Sequence, residues 1–494
     1  MNRSIMKLGV VLVVLYVALF AKLNWIQVVD KNSLDNNPIN TAQVRRDFNR
    51  ARGSILSADG AVIAQSIANP DTNSEFKRMR VYPEGELFGQ STGYFSFRYG
   101  SSGLEKQYND ELSGSTFDQQ VKSFGDLFVA RENVGNVSVS LRKDIQETAR
   151  QQLGDREGSV VALDPRTGAI LGFWSWPSYD PNTVSSLDKT ISETAWKTLN
   201  SAPGVPMRAH FYQDRYFPGS TFKVVTAGVG LQTGKVTNTE PSYPFTNGYT
   251  PQGTNKPIMN FGGETCGGTL PEILRVSCNS SFAEMGAETI GPVDMVAGAG
   301  SFGFNSTVPI DMPEPAKSVF PTNVGNNQPK LAMSSIGQND VQATPLQMAM
   351  VAGAVANGGV IMKPHLLSEV RNVQGDVVST YSPSKWLTPM SSSAASTLFD
   401  DMVGVVKGGT ATGMAIQGCT VGGKTGTAQL GTEPPKSHTW IMGFAGPPGK
   451  PPTVAVAVVV LNQSGGSEAT GGRVAAPIAK AVLQTALASQ GGCS

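Results

Sequence analysis

Histidine and cysteine are scarce in this chain: three of the one and four of the other among 494 residues. No C-x-x-C pair occurs, and His210, His365 and His438 stand far apart. A zinc site is therefore not expected, nor is any other metal or cofactor. No histidine accompanies a nucleophile-elbow motif, which removes support for a Ser-His-Asp triad. Charge is thin as well. Asp, Glu, Lys and Arg make up 16% of residues, against about 25% in ordinary soluble domains. With 39 basic and 38 acidic residues the net charge is +1, so nothing draws the chain to a polyanion and no nucleic-acid partner is expected. Internal repeats and long low-complexity tracts are absent. What is plentiful is Gly, at 55, and Pro, at 31. The surface must then be built from turns and from Ser, Thr, Asn and Gln, a profile that suits an exported protein.

One long apolar run exists, at the N-terminus. Leu8 to Ala21 is uncharged between Lys7 and Lys22. As a helix those 14 residues would span about 21 Å, short of a hydrocarbon core of ~30 Å. Lysines can snorkel, and the stretch from Ile5 to Ile26 is long enough. Leu19-Phe20-Ala21 lacks the small-x-small pattern of a cleavage site. A retained single-pass anchor is expected, in preference to a cleaved signal peptide or a buried soluble helix. Arg3 and Lys7 barely outweigh Lys22 and Lys31, so flanking charge marks orientation poorly.

Length allows two or more domains. Residues 1–26 read as a short stub and anchor, 27–155 as a mixed, irregular module, and 156–494 as one large domain. In the module, Ile55 and the Ala61–Ala64 run flank a Ser57–Gly60 turn, which predicts a hairpin. Lys143 to Leu153 is an amphipathic helix ending at Gly154. Beyond it, Ser159–Leu163 and Ala169–Trp174 predict a second hairpin around Asp164–Gly168. Gln342 to Ala356 reads as a helix, Val421–Leu430, Trp440–Ala445 and Thr453–Leu461 as three consecutive strands, and Val474 to Leu487 as a closing helix. A sheet with a helix returning onto it, plus a separate helical cluster, is an α+β arrangement.

Three short words carry the chemistry: Ser220-Thr-Phe-Lys223, Ser277-Cys-Asn279 and Lys424-Thr-Gly426. Some 57 residues separate the first two serines and 147 separate Ser277 from Lys424, so three distinct elements must converge. S-x-x-K alone is worth little, since it recurs at Ser4, Ser74, Ser140, Ser186 and Ser382. Ser220 differs by context: Pro218-Gly219 delivers it to the start of an apolar helix running to Gly234, where free N–H groups favour a developing anion. Residues three apart share a helix face, so Lys223 should reach the Ser220 hydroxyl. Lysine can take that proton only if burial and a neighbouring cation, here Lys424, lower its pKa. The Ser277 hydroxyl, placed between Ser220 and Lys223, can pass protons to a leaving amine. Asn279 can grip a peptide amide. Lys424, Thr425 and Thr427 can hold a carboxylate, and Gly426 permits close approach of another backbone. The backbone amides of Ser220 and Thr427 form a natural oxyanion-hole pair. His438 and Trp440 read as sheet packing. Four cysteines allow three complete pairings. Cys266 and Cys278 can form a local bridge holding the Ser277 segment, or remain buried thiols; Cys419 lies near the Lys424 strand, and Cys493 in a small-residue tail expected to be mobile.

With these residues the chain resembles the class B penicillin-binding proteins, most closely the short actinobacterial type called penicillin-binding protein A. The likeness extends through Arg52-Gly53 with Gly60, Gly103-Leu-Glu105, Asp164-Pro with Gly168, Ser175-Trp-Pro-Ser178 and Asp180-Pro-Asn182. It continues through Tyr216 to Lys223, Ile336-Gly-Gln338 and Ala343-Thr-Pro-Leu-Gln347. The resemblance implies a penicillin-binding serine transpeptidase fold: an antiparallel sheet flanked by helices, an all-helical subdomain, and a non-catalytic pedestal before them. It implies D,D-transpeptidation of peptidoglycan stem peptides through a Ser220 acyl-enzyme, covalent capture of β-lactams there, and a body outside the membrane. Cell-division or elongation proteins would be its partners. No C-terminal repeat module follows the catalytic domain, so roles needing one are not expected. A serine β-lactamase shares the three words but must hydrolyse its acyl-enzyme, and no E-x-x-[LN] segment follows Ser277. A catalytically idle scaffold in a wall-building complex would not need Ser220, Lys223, Ser277, Asn279 and Lys424 together.

Overall fold

The computed structural model describes residues 2–28, 48–116, 134–464 and 469–493. The chain divides into two units, residues 1–51 with 67–79 and residues 52–66 with 80–494.

The first unit contains the helix Asn2–Val28. Its apolar stretch Ile5–Trp25 is 21 residues long, enough for a hydrocarbon core of ~30 Å. Leu8, Leu15 and Phe20 are each exposed by 58% or more, so in water a continuous apolar rod would stand uncovered. In the same unit Phe48 and Phe76 meet edge to face, and Asn49 Oδ1 accepts from the Lys77 amide at 2.6 Å.

The second unit is organised by a five-stranded antiparallel sheet. Its order is Thr420–Gln429, Lys436–Gly446, Val454–Ser464, Gly158–Leu163 and Ile170–Trp176. Val454 to Val460 are buried without a break. Consecutive strand residues point to opposite faces, so both faces are covered, and the helices Pro345–Ala356 and Gly471–Ala488 are among those packed on it. The Thr420–Gln429 strand, which carries Lys424 to Thr427, is an edge of this sheet. The hairpin expected around Asp164–Gly168 is present, with Val160 opposite Trp174. Helix Lys143–Leu153 has the bounds its periodicity predicts, with Gly154 at φ 60° as its C-cap.

Two helix boundaries move. The helix expected from Gln342 begins at Pro345, because the Thr344 hydroxyl caps it by accepting from the Gln347 amide at 3.0 Å, and Pro is favoured at a first helical position. Gln342 instead pairs with Val319. The segment expected as a continuous helix from Ser220 starts as a 3₁₀ turn, Gly219–Phe222, and becomes α-helical only over Lys223–Gln232. Its C-cap is Thr233, with Gly234 next at φ 71°.

A second sheet mixes distant parts of the chain. Ile55–Leu56 pairs antiparallel with the strand beginning at Val62, as the hairpin pattern predicts, and parallel with Asn136–Val139. Asn136–Val139 pairs in turn with Leu367–Arg371, and that strand with Val377–Thr380. The second unit also holds a buried ion cluster: Glu105 takes Arg52 Nε at 2.7 Å and Arg80 Nε at 2.5 Å. Two disulfides staple the second unit, one local and one closing a span of 74 residues. Cys266 joins Cys278, and Cys419 joins Cys493. The C-terminal tail expected to be mobile is thus tied back. Closing a loop of 12 residues restrains the unfolded chain by about 3 kcal/mol in the chain-entropy picture.

Candidate active site

The Ser220 turn is seated by two glycines. Gly219, at φ 53°, would place a Cβ 3.0 Å from the Thr427 carbonyl oxygen. Gly426 would place one 2.8 Å from the Pro218 carbonyl oxygen. Backbone thus lies against backbone, and any side chain at either position would force the turn and the strand apart. Ser220 and Thr427 are half-buried, whereas Lys223 and Lys424 are fully buried.

The second word arrives on a helix end. Leu270–Val276 begins with a capping box, Thr269 with Glu272, and ends on Ser277 in the left-handed region at φ 62°, ψ 44°. A non-glycine residue there is strained, and the Cys278 bridge beside it helps hold the conformation. The strain aims the Ser277 hydroxyl between two amines. Lys424 Nζ donates to Ser277 Oγ at 2.7 Å, and Lys223 Nζ lies 3.3 Å from the same oxygen. Lys223 Nζ also donates to the Ser277 carbonyl at 2.7 Å and to Asn279 Oδ1 at 2.6 Å. Asn279 Nδ2 in turn donates to the Met259 carbonyl at 2.9 Å.

Electrostatics follow from that burial. Desolvation first, and then the charge of Lys424, holds the Lys223 amine well below the usual lysine range. Burial pushes Lys424 down to about 7. Two desolvated ammonium groups sharing one hydroxyl cannot both stay charged cheaply.

All three words converge, with two departures from expectation. Among the described hydrogen bonds, Lys223 reaches Ser277 and Asn279 and not the Ser220 hydroxyl. Ser277 Oγ bridges the two lysines where a place between Ser220 and Lys223 was expected. The Lys223 amine is instead held on the second word, by the Ser277 carbonyl at 2.7 Å and Asn279 Oδ1 at 2.6 Å. Thr425 donates its hydroxyl to Thr410 Oγ1 at 2.7 Å. Thr410 was missed by sequence reasoning; its one signal is the Gly408-Gly409-Thr410 stretch joining a helix to the Lys424 strand. A carboxylate arriving here can meet two hydroxyls beside a cation. His438 and Trp440 lie in the sheet as expected: both are buried and pack on Tyr216.

Comparison with known proteins identifies the family. A penicillin-binding protein transpeptidase domain matches residues 158–484, and a penicillin-binding protein A dimerisation domain matches residues 52–137. The chain belongs to the class B penicillin-binding proteins, of the A type. It is 36% identical to peptidoglycan D,D-transpeptidase PbpA of Mycolicibacterium smegmatis, over 99% of each chain. Identity to the PbpA of Mycobacterium tuberculosis is 35%, again over 99% of both. Among solved structures, the ceftriaxone acyl-enzyme complex of penicillin-binding protein A from M. tuberculosis superposes with a TM-score of 0.82 at 34% identity. That match covers 90% of this chain and all of the other. The penicillin-binding fold expected from the sequence is thereby established.

Proposed function

We propose that this class B penicillin-binding protein is a membrane-anchored peptidoglycan D,D-transpeptidase that works through an acyl-enzyme on Ser220 and is inhibited by β-lactams at that serine. The observation that carries the reading is the pair of buried lysines sharing the Ser277 hydroxyl. A neutral lysine amine has two N–H donors and one lone pair. The Ser277 carbonyl and Asn279 Oδ1 can take the two donors, which leaves the lone pair to accept a proton. Ser220 Oγ gives up that proton to Lys223 and attacks the carbonyl carbon of the penultimate D-alanine. The amides of Ser220 and Thr427 receive the developing oxyanion. Ser277 hands a proton to the departing nitrogen as the C–N bond breaks, releasing D-alanine, and takes a proton back from the Lys223 ammonium, whose Nζ lies 3.3 Å from its Oγ. The amine of a neighbouring strand then attacks the ester carbonyl, and its proton passes by way of Lys223 to the Ser220 oxygen as the C–O bond breaks, which forms the cross-link and restores Ser220. Lys424 holds the terminal carboxylate with Thr425 and Thr427, and Thr410 extends that site.

We assign residues 1–26 to a stub and anchor, 27–155 to a non-catalytic module, and 156–494 to the catalytic domain. The two family matches fall inside the latter two ranges. Two disulfides and a wall substrate support a body outside the membrane. Division or elongation proteins would engage the non-catalytic module.

The test is to supply the full chain in detergent micelles with a stem pentapeptide donor and an amine acceptor. D-Alanine release matched by cross-linked product is expected, both lost in Ser220→Ala. Release without cross-link would indicate a hydrolase, and no release would indicate a scaffold.

A pH profile follows from the lysines. Acylation needs neutral Lys223, so kcat/KM falls as pH drops through its lowered pKa. Binding needs cationic Lys424, so the rate declines again above about 7. A bell with its upper limb well below the ordinary lysine value of about 10.4 is expected. A rate still climbing at pH 10 would contradict it.

A further inference from the structure

Each of the four residues before Ser220 is held by hydrogen bonds, three of them from distant parts of the fold and Pro218 from within the turn itself. Tyr216 exchanges backbone hydrogen bonds with Ala343, at 3.0 and 2.9 Å. The Phe217 carbonyl accepts from the Trp440 indole Nε1–H at 3.0 Å. The Pro218 carbonyl accepts from the Thr221 hydroxyl at 2.7 Å. The Gly219 amide donates to the Gly337 carbonyl at 2.9 Å.

Trp440 differs from the other three because of where it stands. It lies on the Lys436–Gly446 strand directly opposite Gly426, next to Thr427, whose amide forms the other half of the oxyanion hole. A Cβ on Gly426 would meet the Trp440 Cβ at 3.1 Å and the Pro218 carbonyl oxygen at 2.8 Å. The tryptophan side chain therefore passes over the gap that Gly426 leaves open and ends on the chain three residues before the nucleophile. Its ring is fully buried, so the N–H has no water to fall back on, and the Phe217 carbonyl is its partner.

We propose that Trp440 is a positioning residue for acyl transfer: its indole N–H fixes the Ser220 turn at a set distance from the strand of Thr427, holding the two halves of the oxyanion hole in register. Gly337 supports the same turn from the other side. Its φ is 74° and a Cβ there would strike the Gly219 carbonyl oxygen at 2.1 Å, so the turn has no room to retreat. This gives the Ile336-Gly-Gln338 word a physical task. The inference rests on Ser220 being the acylated residue.

The test deletes the N–H and keeps the ring. In the full chain, Trp440→Phe and replacement of Trp440 by benzothienylalanine, which is shaped like tryptophan but has sulfur for the N–H, are compared with the parent. Rapid-quench acylation by penicillin over a range of concentrations separates the non-covalent dissociation constant from the acylation rate constant. Small misplacements of reacting groups can cost up to about 10²-fold. The acylation and deacylation rate constants are expected to fall together by about tenfold or more, because both steps use the same oxyanion site. The dissociation constant should stay within about twofold. Should Trp440→Phe fail to fold, the benzothienylalanine protein decides alone. Acylation within about twofold of the parent, in a parent that acylates normally, overturns the positioning role. A parent that is not acylated at all overturns the Ser220 reading instead.

Discussion

Lys223→Arg is expected to slow acylation of Ser220 by about 10²–10⁴-fold, the range for losing a positioned general base. The substitution fixes a permanent cation in the pocket and removes the base, because a guanidinium is not deprotonated in proteins. Lys223→Met makes the complementary change, preserving length and flexibility while removing both charge and lone pair. If Lys223 works as a base, the two variants fall by similar factors. If only its positive charge matters, arginine retains most of the rate and methionine loses it. The wild-type amine is suited to the role because it is fully buried and held well below the lysine range by desolvation and by Lys424. Rapid-quench acylation, with thermal unfolding as a control for folding, distinguishes the cases.

Glu105→Gln should produce the second large effect, on stability and not on chemistry. The Glu105 side chain is fully inaccessible, and its partners Arg52 and Arg80 are 4% and 1% accessible. Burial alone would raise the carboxyl, but Arg80 and then Arg52 more than reverse this and hold it below its usual range. Removing the anion leaves two guanidiniums buried without compensation, a change that typically costs about 3–5 kcal/mol. Denaturant unfolding of the full chain in detergent should show a loss of that size, while penicillin acylates the folded fraction at the parental rate. A loss under about 1 kcal/mol would mean that water reaches the cluster. Because the folded carboxyl is depressed, its contribution is full above the ordinary carboxylate range and fades as pH falls through the lowered value.

Much of this was legible in the sequence, for identifiable reasons. The ordered words Ser220–Lys223, Ser277–Asn279 and Lys424–Gly426 pointed to a shared cleft because their chemistry is complementary even at wide spacing. The sheet strands were legible where apolar runs such as Val454–Val460 are unbroken, and the helix Lys143–Leu153 where period and glycine cap agree. What stayed hidden depends on contacts between distant residues. Nothing local in Leu367–Arg371 says that it pairs back to Asn136–Val139. The 3₁₀ form of the Ser220 turn goes with close backbone approach at Gly219 and Gly426, which no periodicity records. Ser277 in the left-handed region has no sequence mark, since serine rarely adopts it. Thr410 and Trp440 were visible only as a loop residue and a packed aromatic until Thr425 and Phe217 were placed beside them. The partner of Cys493 was likewise settled by the closing helix, which returns the tail to Cys419.

Ser220 is expected to form an acyl-enzyme that the site does not hydrolyse. Incubating the full chain with penicillin and following intact mass over hours, with peptide mapping and Ser220→Ala as control, tests it most directly. One adduct, located on the peptide containing Ser220, persisting for hours and absent from the variant, is the predicted result. An adduct on another residue, or one that turns over within seconds, would contradict it.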